Sequence, residues 1–330
     1  MRLTKPPTEH LLSTIARQGR LWRNLCYVRN YRAASQMAKY RLNPSTVAYR
    51  RDTRSYWVPE LGIDVGPAHH PLLAALWQAS ALKRAGVRFS NEAGEIIAHT
   101  PSFAAAVENE DELYILREVV ANGVYNLVPG TPGAVVLDIG MNVGYASLQF
   151  AAQPWVAAVW AYEPVPSTYS RALRNLNRNP QLAARIKPHN YGLADHDTDM
   201  TFDFSPRWRG AVGVQGMSRE FRNYHGVKER DLSPVTVHVR GAAEVVSELR
   251  AAFPLAEVMV KLDCEGCEYR IVNALHKAGL LPQLDVLVIE WHQCGAAELL
   301  QLLAAAGFFT LSLTPQESTG MIYACRRSGR

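Results

Sequence analysis

Acidic side chains follow several short apolar runs of this sequence, and the first run is also followed by a glycine turn. This turn joins a predicted buried strand to a helical pattern, and it contains Asp138, Gly140, Asn142 and Gly144. Glycines let a backbone turn tightly and approach a ligand closely. Glu163 ends the next apolar run, where an acidic group accepts hydrogen bonds from both ribose hydroxyls of a nucleotide. We therefore expect a nucleotide-type ligand here.

The carboxylate inside the turn narrows the kind of ligand. Asp138 would repel a phosphate, but it suits a ligand that carries an ammonium group. S-adenosylmethionine (SAM) has such a group on its methionine part. We expect SAM as the cofactor, with Asp138 among the residues that bind it.

A second acidic cluster follows two later apolar runs. Asp263 ends one run, and Glu290 and His292 end the next. Glu265 and Glu268 stand near the start of a helix, where negative charge is favoured, so a helix-dipole role alone accounts for them as well as a functional one does. The carboxyl ends of parallel strands lie at one edge of a sheet. We expect all these residues to share that edge.

If SAM gives its methyl group to a hydroxyl acceptor, a base that takes the proton of this hydroxyl helps the reaction. His292 is the first candidate for the base, since an unperturbed imidazole titrates near neutrality, and the alternative is a structural histidine bonded to a neighbouring loop. Asp263 is the second candidate; it also suits binding of the SAM amino group or orientation of the acceptor. Lys261 either pairs with a carboxylate or extends from the strand end to solvent.

From residue 134 onward, apolar runs alternate with helical patterns, which predicts parallel strands joined by right-handed crossovers. The last two strands have no helix between them and must form an antiparallel hairpin. The predicted fold is α/β: a doubly wound, Rossmann-like class I methyltransferase sheet, mostly parallel, with a C-terminal antiparallel hairpin. The predicted strands are 135–139, 156–162, 186–191, 235–239, 258–262, 284–290, 308–313 and 321–325, and the helices are 143–152, 167–178, 242–253, 269–278 and 296–306.

Together these motifs resemble the FkbM family of SAM-dependent methyltransferases, over about residues 110–325. The resemblance implies a class I fold, SAM as cofactor, and methylation of a hydroxyl on a sugar, glycolipid or polyketide-like acceptor. The family's Glu and Tyr ahead of the first strand are matched by Glu118 and Tyr125. The matching motifs are Asp138-x-Gly-x-Asn-x-Gly144, Glu163-Pro164, Lys261-x-Asp-x-Glu-Gly-x-Glu268 and Glu290-x-His292.

The N-terminal part is strongly basic. Residues 1–54 hold twelve Lys or Arg against two acidic residues, a net charge of +10, whereas the whole chain carries +5. Such an arm contacts an anionic partner or is simply a solvated helix face. We predict a basic helical and hairpin extension over residues 1–107, with helices at 8–40 and 71–86 and a hairpin at 87–99. The methyltransferase domain is predicted at 108–330, beginning with a helix at 110–122.

The composition predicts a cytoplasmic protein without a transmembrane segment or a secretory signal. An odd cysteine count, five, argues against a disulfide framework. Cys264, Cys267, His292 and Cys294 have the chemistry of zinc ligands, but the cysteines occupy variable positions of the motif, and we predict no metal site.

The leading prediction is an O-methyltransferase that acts on a small-molecule or glycan acceptor. Two alternatives remain: a nicotinamide-dependent oxidoreductase, and a non-catalytic protein of the SAM-binding fold that binds a partner through its basic arm. The carboxylate of Asp138 and the C-terminal hairpin argue against the first, and the intact acidic residues argue against the second.

Overall fold

The computed structural model describes residues 47–326, except 128, 130, 212, 214–215, 218–221, 224–225 and 315–317. The predicted helix at 8–40 and most of the basic arm lie outside this range. Two compact units are present: one runs up to Pro101 and includes Ala106–Arg117, and the other comprises Ser102–Ala105 and the chain from Glu118 onward. Within the described chain, every helix is too short or too polar to cross a membrane.

The first unit contains short strands and helices. Residues 47–58, which the pattern left unassigned, form two antiparallel strands. The helix predicted to begin at Pro71 instead has this proline inside a 3₁₀ helix. The predicted helix at 110–122 changes to π-helical pairing halfway. Its elements are β1 (Ala48–Arg50), β2 (Ser55–Val58), β3 (Ile63–Val65), the 3₁₀ helix Pro67–Gln78, α1 (Ala79–Arg84), β4 (Arg88–Glu92), β5 (Glu95–His99) and α2 (Glu110–Leu116). Two further elements, β6 (Ala104–Ala106) and the π-helix Arg117–Asn122, fall mostly within the residue ranges of the second unit.

The second unit is built on a seven-stranded sheet with the order β15-β16-β14-β13-β7-β8-β9. Pairing from β14 through β9 is parallel, and β16 runs antiparallel to both β14 and β15. The predicted fold class is confirmed, including the C-terminal hairpin. The strands are β7 (Ala134–Ile139), β8 (Val156–Tyr162), β9 (Ile186–His189), β13 (Val258–Leu262), β14 (Val286–His292), β15 (Phe308–Leu313) and β16 (Thr319–Arg326).

Helices cover both faces of this sheet. Every residue of β7 and β13 is buried, as expected for central strands of a parallel sheet with helices on both sides. Apolar side chains of these strands pack with those of the helices around them into one core. The helices are α3 (Tyr145–Ala151), α4 (Pro166–Asn177), α5 (Pro180–Ala183), α6 (Ala242–Ala252), α7 (Glu268–Lys277) and α8 (Ala297–Ala305).

A small second sheet extends the connection after β9. It has the order β10-β12-β11, formed by β10 (Gly192–Ala194), β11 (Thr198–Phe204) and β12 (Ser233–Gly241). Sequence reasoning found only part of β12 and missed β11. The residues of β11 alternate between half-buried and exposed, so its polar side chains gave the stretch the composition of a loop.

The glycine turn after β7 lies directly against the end of β13. Gly140 has φ of +84°, and a Cβ at this position would lie 1.8 Å from the carbonyl oxygen of Asp263. Such a distance is far below van der Waals contact, so only glycine fits. The turn and the end of β13 are therefore in contact through their backbones.

Replacing Gly140 by alanine tests this contact against a matched control. Gly133 has φ of +90° and open space around its missing Cβ. Gly133→Ala should cost about 1–2 kcal/mol for the left-handed backbone alone. Gly140→Ala should cost about 3 kcal/mol or more, because the steric overlap adds to the same strain. Denaturant unfolding measures both variants, and equal losses of stability would contradict the account.

Candidate active site

The glycine turn is fastened to the neighbouring strand β8. The backbone N–H groups of Gly140 and Met141 donate to the carbonyl of Tyr162, at 3.1 and 2.8 Å. Asn142 adopts φ of +50°, and its N–H donates to Oε2 of Glu163 at 3.0 Å. The turn therefore presents its backbone at the carboxyl ends of β7 and β8, as the sequence predicted.

Glu163 is buried at the end of β8. Its Oε1 accepts the N–H of Val165 at 2.9 Å, while Oε2 accepts that of Asn142. Burial raises the pKa of Glu163 to about 7, although both backbone donors act in the opposite direction. Near neutral pH, the protonated and ionised forms of the Glu163 carboxyl are therefore both present.

Lys261 lies between two carboxylates inside the protein. Its Nζ is 3.2 Å from Oδ1 of Asp138 and 3.5 Å from Oδ2 of Asp263, and its side chain is 2% exposed. Nζ also donates to the carbonyl oxygen of Gly140 at 2.5 Å. Burial acts to lower the pKa of Lys261, but the two carboxylates outweigh it and hold this pKa above its usual value. Of the two alternatives left open for this lysine, the structure has the ion pair.

The carboxylate of Asp138 is fully enclosed. Its second oxygen accepts a hydrogen bond from the hydroxyl of Ser147, and the side chain has no exposed surface. This differs from the expected direct contact with a ligand ammonium group. Asp138 instead fixes Lys261, which in turn binds the glycine turn and Asp263.

Tyr125 joins this network from the segment ahead of β7. Its hydroxyl donates to Oδ2 of Asp263 at 3.0 Å, and Nζ of Lys261 lies 5.4 Å from the centre of its ring. Burial and the charge of Asp263 raise the pKa of Tyr125 well above its usual value. The family resemblance was the one sequence signal for this residue.

Glu268 organises the loop between β13 and α7. Its carboxylate accepts the N–H groups of Cys264 and Gly266 at 3.1 and 2.8 Å, and its Oε1 lies 2.9 Å from Nδ1 of His292. Glu268 therefore does more than place a negative charge at the start of a helix. It fixes both the loop backbone and the imidazole ring.

His292 is surrounded by carboxylates at the end of β14. Its Nε2 lies 3.6 Å from Oε2 of Glu265 and 3.8 Å from Oε1 of Glu290. Burial acts to lower the pKa of His292, but Glu265, Glu268 and Glu290 together raise it to about 11. The ring is then protonated at neutral pH, so an unperturbed pKa no longer supports it as the base.

A cavity that is open to solvent lies at the carboxyl ends of β7, β8 and β13. Four residues predicted to bind the cofactor line it: Gly140, Asn142, Glu163 and Asp263. Three other predicted site residues are not among the described residues that line the cavity: Asp138, Gly144 and His292. Further lining comes from β11, β12 and the segment around the 3₁₀ helix Arg209–Ala211, namely Met200, Phe202, Val237, Val239, Arg209, Gly210 and Gly213.

Side chains able to bind a metal ion meet beside this cavity. Asp263, Glu265 and His292 each offer a ligand atom, and these atoms lie within 4.8 Å of one another. Cys264 and Cys267, weighed above as zinc ligands, are not part of this group and are free thiols.

Comparison with known proteins identifies the family. The sequence model of the methyltransferase FkbM domain matches residues 138–309, more than half of the chain. The chain belongs to the FkbM methyltransferase family. The match spans the glycine turn, Glu163, the Asp263–Glu268 motif and His292 of this FkbM-family chain.

Several curated proteins are similar to this FkbM-family chain. Methyltransferase 1 of Beauveria bassiana is 23% identical over 68% of this chain and 85% of its own length. The hexuronic acid methyltransferase AglP of Haloferax volcanii is 25% identical, over 64% and 78%. The synthetase AmbE of Pseudomonas aeruginosa is 34% identical over 32% of this chain, which spans 5% of that much longer protein.

Among solved structures, a methyltransferase FkbM from Methylobacillus flagellatus aligns with 60% of this FkbM-family chain and 45% of its own, with 16% identity and a TM-score of 0.38. That similarity is weak. The fold class rests on the strand order and pairing of the chain itself.

The buried ion pair predicts strong coupling between Lys261 and Asp138. Lys261→Met should destabilise the protein by about 3–5 kcal/mol, because it leaves buried carboxylates without a counter-charge. Adding Asp138→Asn should then cost less than it does alone, with a coupling of about 1 kcal/mol or more. Arg240→Met, which removes the exposed pair with Glu248, is the control and should cost under about 1 kcal/mol.

Denaturant unfolding of the two single variants and the double variant measures this coupling. Additive losses of stability for Lys261→Met and Asp138→Asn would contradict the account. So would a Lys261→Met loss no larger than that of Arg240→Met.

Proposed function

We propose that this chain is a SAM-dependent methyltransferase that methylates a hydroxyl group of a sugar-like acceptor. The observation that carries the proposal is the cavity at the strand ends, where Gly140, Asn142 and Glu163 lie side by side. A doubly wound sheet binds its ligand at this place. Membership of the FkbM methyltransferase family supports the same reaction.

The residues present fit a nucleoside-type cofactor. The cavity lies at the strand ends, where the backbone of the glycine turn and the carboxylate of Glu163 are both accessible to a ligand. Oδ1 of Asn142 is buried and has no hydrogen-bond partner among the described residues, so it is available to a ligand. Glu163 would accept hydrogen bonds from the ribose hydroxyls. Gly144 and Asp138 complete the proposed cofactor site by shaping the turn and fixing Lys261.

Bound SAM supplies a methyl group on a sulfonium, which is already a good leaving group. The protein must then align the acceptor and help it to lose its proton. We propose that the carboxylate of Asp263 accepts the proton of the acceptor hydroxyl. This carboxylate lines the cavity and is held in place by Tyr125 and Lys261. As the C–S bond breaks, the acceptor oxygen forms the C–O bond. His292 acts as a positioning residue through Glu265, which also lines the cavity.

The acceptor class is proposed from the outer wall of the cavity. Arg209 contributes a guanidinium there, and Phe202 contributes an aromatic ring. This combination suits an acidic sugar, because an arginine pairs with a carboxylate and an aromatic ring covers the apolar face of a sugar. The name of the Haloferax volcanii relative, a hexuronic acid methyltransferase, agrees with this choice.

Calorimetric titration with SAM and with NAD tests the cofactor. SAM should bind with one site per chain, and NAD should not bind. Because the pKa of Glu163 is near 7, SAM should bind about tenfold more weakly at pH 6 than at pH 8, where the carboxylate is ionised. Glu163→Gln should bind weakly at both pH values. Equal SAM affinity at pH 6 and pH 8 in the wild type would contradict the role of this carboxylate, and tight NAD binding would contradict the cofactor.

Kinetics with labelled SAM and a panel of uronic acids and neutral sugars test the reaction. Asp263→Asn should lower kcat by about 10²–10⁴, the usual contribution of a positioned base, with a smaller change in the KM for SAM. Asp195→Asn is the control, because Asp195 is partly exposed, pairs with Arg270 and does not line the cavity. An unchanged kcat in Asp263→Asn would remove this residue from the reaction.

A further inference from the structure

We propose that Asp263, Glu265 and His292 bind a divalent metal ion at the edge of the cavity. Their ligand atoms lie within 4.8 Å of one another. The three residues come from the ends of β13 and β14 and from the loop after β13, so the sheet itself brings them together. The sequence pattern predicted no metal site, because the ligand set weighed from it combined His292 with cysteines and not with Asp263 and Glu265.

The imidazole of His292 is held as a metal ligand is held. Histidines that bind metals almost always donate their other ring N–H to a carboxylate or carbonyl group. Nδ1 of His292 lies 2.9 Å from Oε1 of the fully buried Glu268, which leaves Nε2 to face the cluster, where a metal ion would replace the proton on Nε2. The residue is 9% exposed, and no hydrogen bond joins Nε2 to a described residue.

The separations between the side chains suit a shared ion. Two ligands that each lie about 2.1 Å from one ion are about 3.0–3.4 Å apart at octahedral or tetrahedral angles. Nε2 of His292 and Oε2 of Glu265 are 3.6 Å apart, too far for a hydrogen bond and close to this range. The atoms of the whole set lie within 4.8 Å of one another, so the side chains would move closer together around a bound ion.

The local charges favour an added cation. Five carboxyl groups meet two basic groups here: Asp138, Asp263, Glu265, Glu268 and Glu290 surround Lys261 and His292. Uncompensated buried charge is costly, and carboxylates buried in proteins are usually paired or bound to metal ions.

The ligand set indicates which ions would bind. Two carboxylates with one imidazole suit Mn²⁺, Fe²⁺ or Zn²⁺ better than ions that prefer oxygen alone. Asp263 and Glu265 also line the cavity, so the open positions of the ion would face an acceptor. There it would lower the pKa of a bound hydroxyl. That role rests on the proposed function, but metal binding does not.

Titration of the chelator-treated full chain with MnCl₂ tests the site, with free Mn²⁺ followed by electron paramagnetic resonance. One ion should bind per chain without SAM or acceptor. Glu265→Gln and His292→Asn should each weaken binding by about tenfold or more, since even residues behind metal ligands contribute this much. Glu248→Gln, which alters an exposed carboxylate paired with Arg240, should bind as the wild type does.

Two results would overturn the metal site: no saturable Mn²⁺ binding to the wild type, or equal affinity in the wild type and in Glu265→Gln. Circular dichroism checks that each variant is folded. The side chain of Glu265 is 22% exposed, so Glu265→Gln decides the question if His292→Asn does not fold. Because SAM titration is a separate measurement, failure of the metal site and failure of the proposed cofactor are distinguishable.

Discussion

The ammonium group of Lys261 lies between the carboxylates of Asp138 and Asp263, out of contact with solvent. A buried ion pair of this kind is costly to break, because removal of one partner leaves a charge without compensation. Lys261 also donates to the carbonyl of Gly140. One side chain therefore ties together β7, the glycine turn and the end of β13, and the geometry of the site depends on it.

The site can be described as two loops joined by this lysine. The first loop and Glu163 contribute backbone and a carboxylate to the cavity, and the second loop contributes acidic groups near His292. Glu268 gives the second loop its shape by accepting two backbone N–H groups and holding the imidazole. The sheet therefore holds these two loops at a fixed separation, which the proposed function requires of a cofactor in the first loop and an acceptor at the second.

The central sheet could be predicted from the sequence because its middle strands, β7 and β13, are fully buried and consist mostly of apolar residues. The acidic residues at the strand ends could be located as well, because they stand where each apolar run ends. β11 could not, since its alternating polar residues resemble a loop. The enclosure of Asp138 and the carboxylates around His292 also escaped prediction, because both depend on which side chains meet across strands. Such contacts carry no signal in the local pattern.

The central claim is that the two loops act as one SAM-binding unit through Lys261. Hydrogen–deuterium exchange with and without SAM tests it directly, since amide protection reports local opening. The account predicts slower exchange in both segments, 139–144 and 263–268, when SAM is added to the wild type, and protection of the first segment alone in Lys261→Met. Protection confined to 139–144 in the wild type, or no protection in either segment, would contradict it.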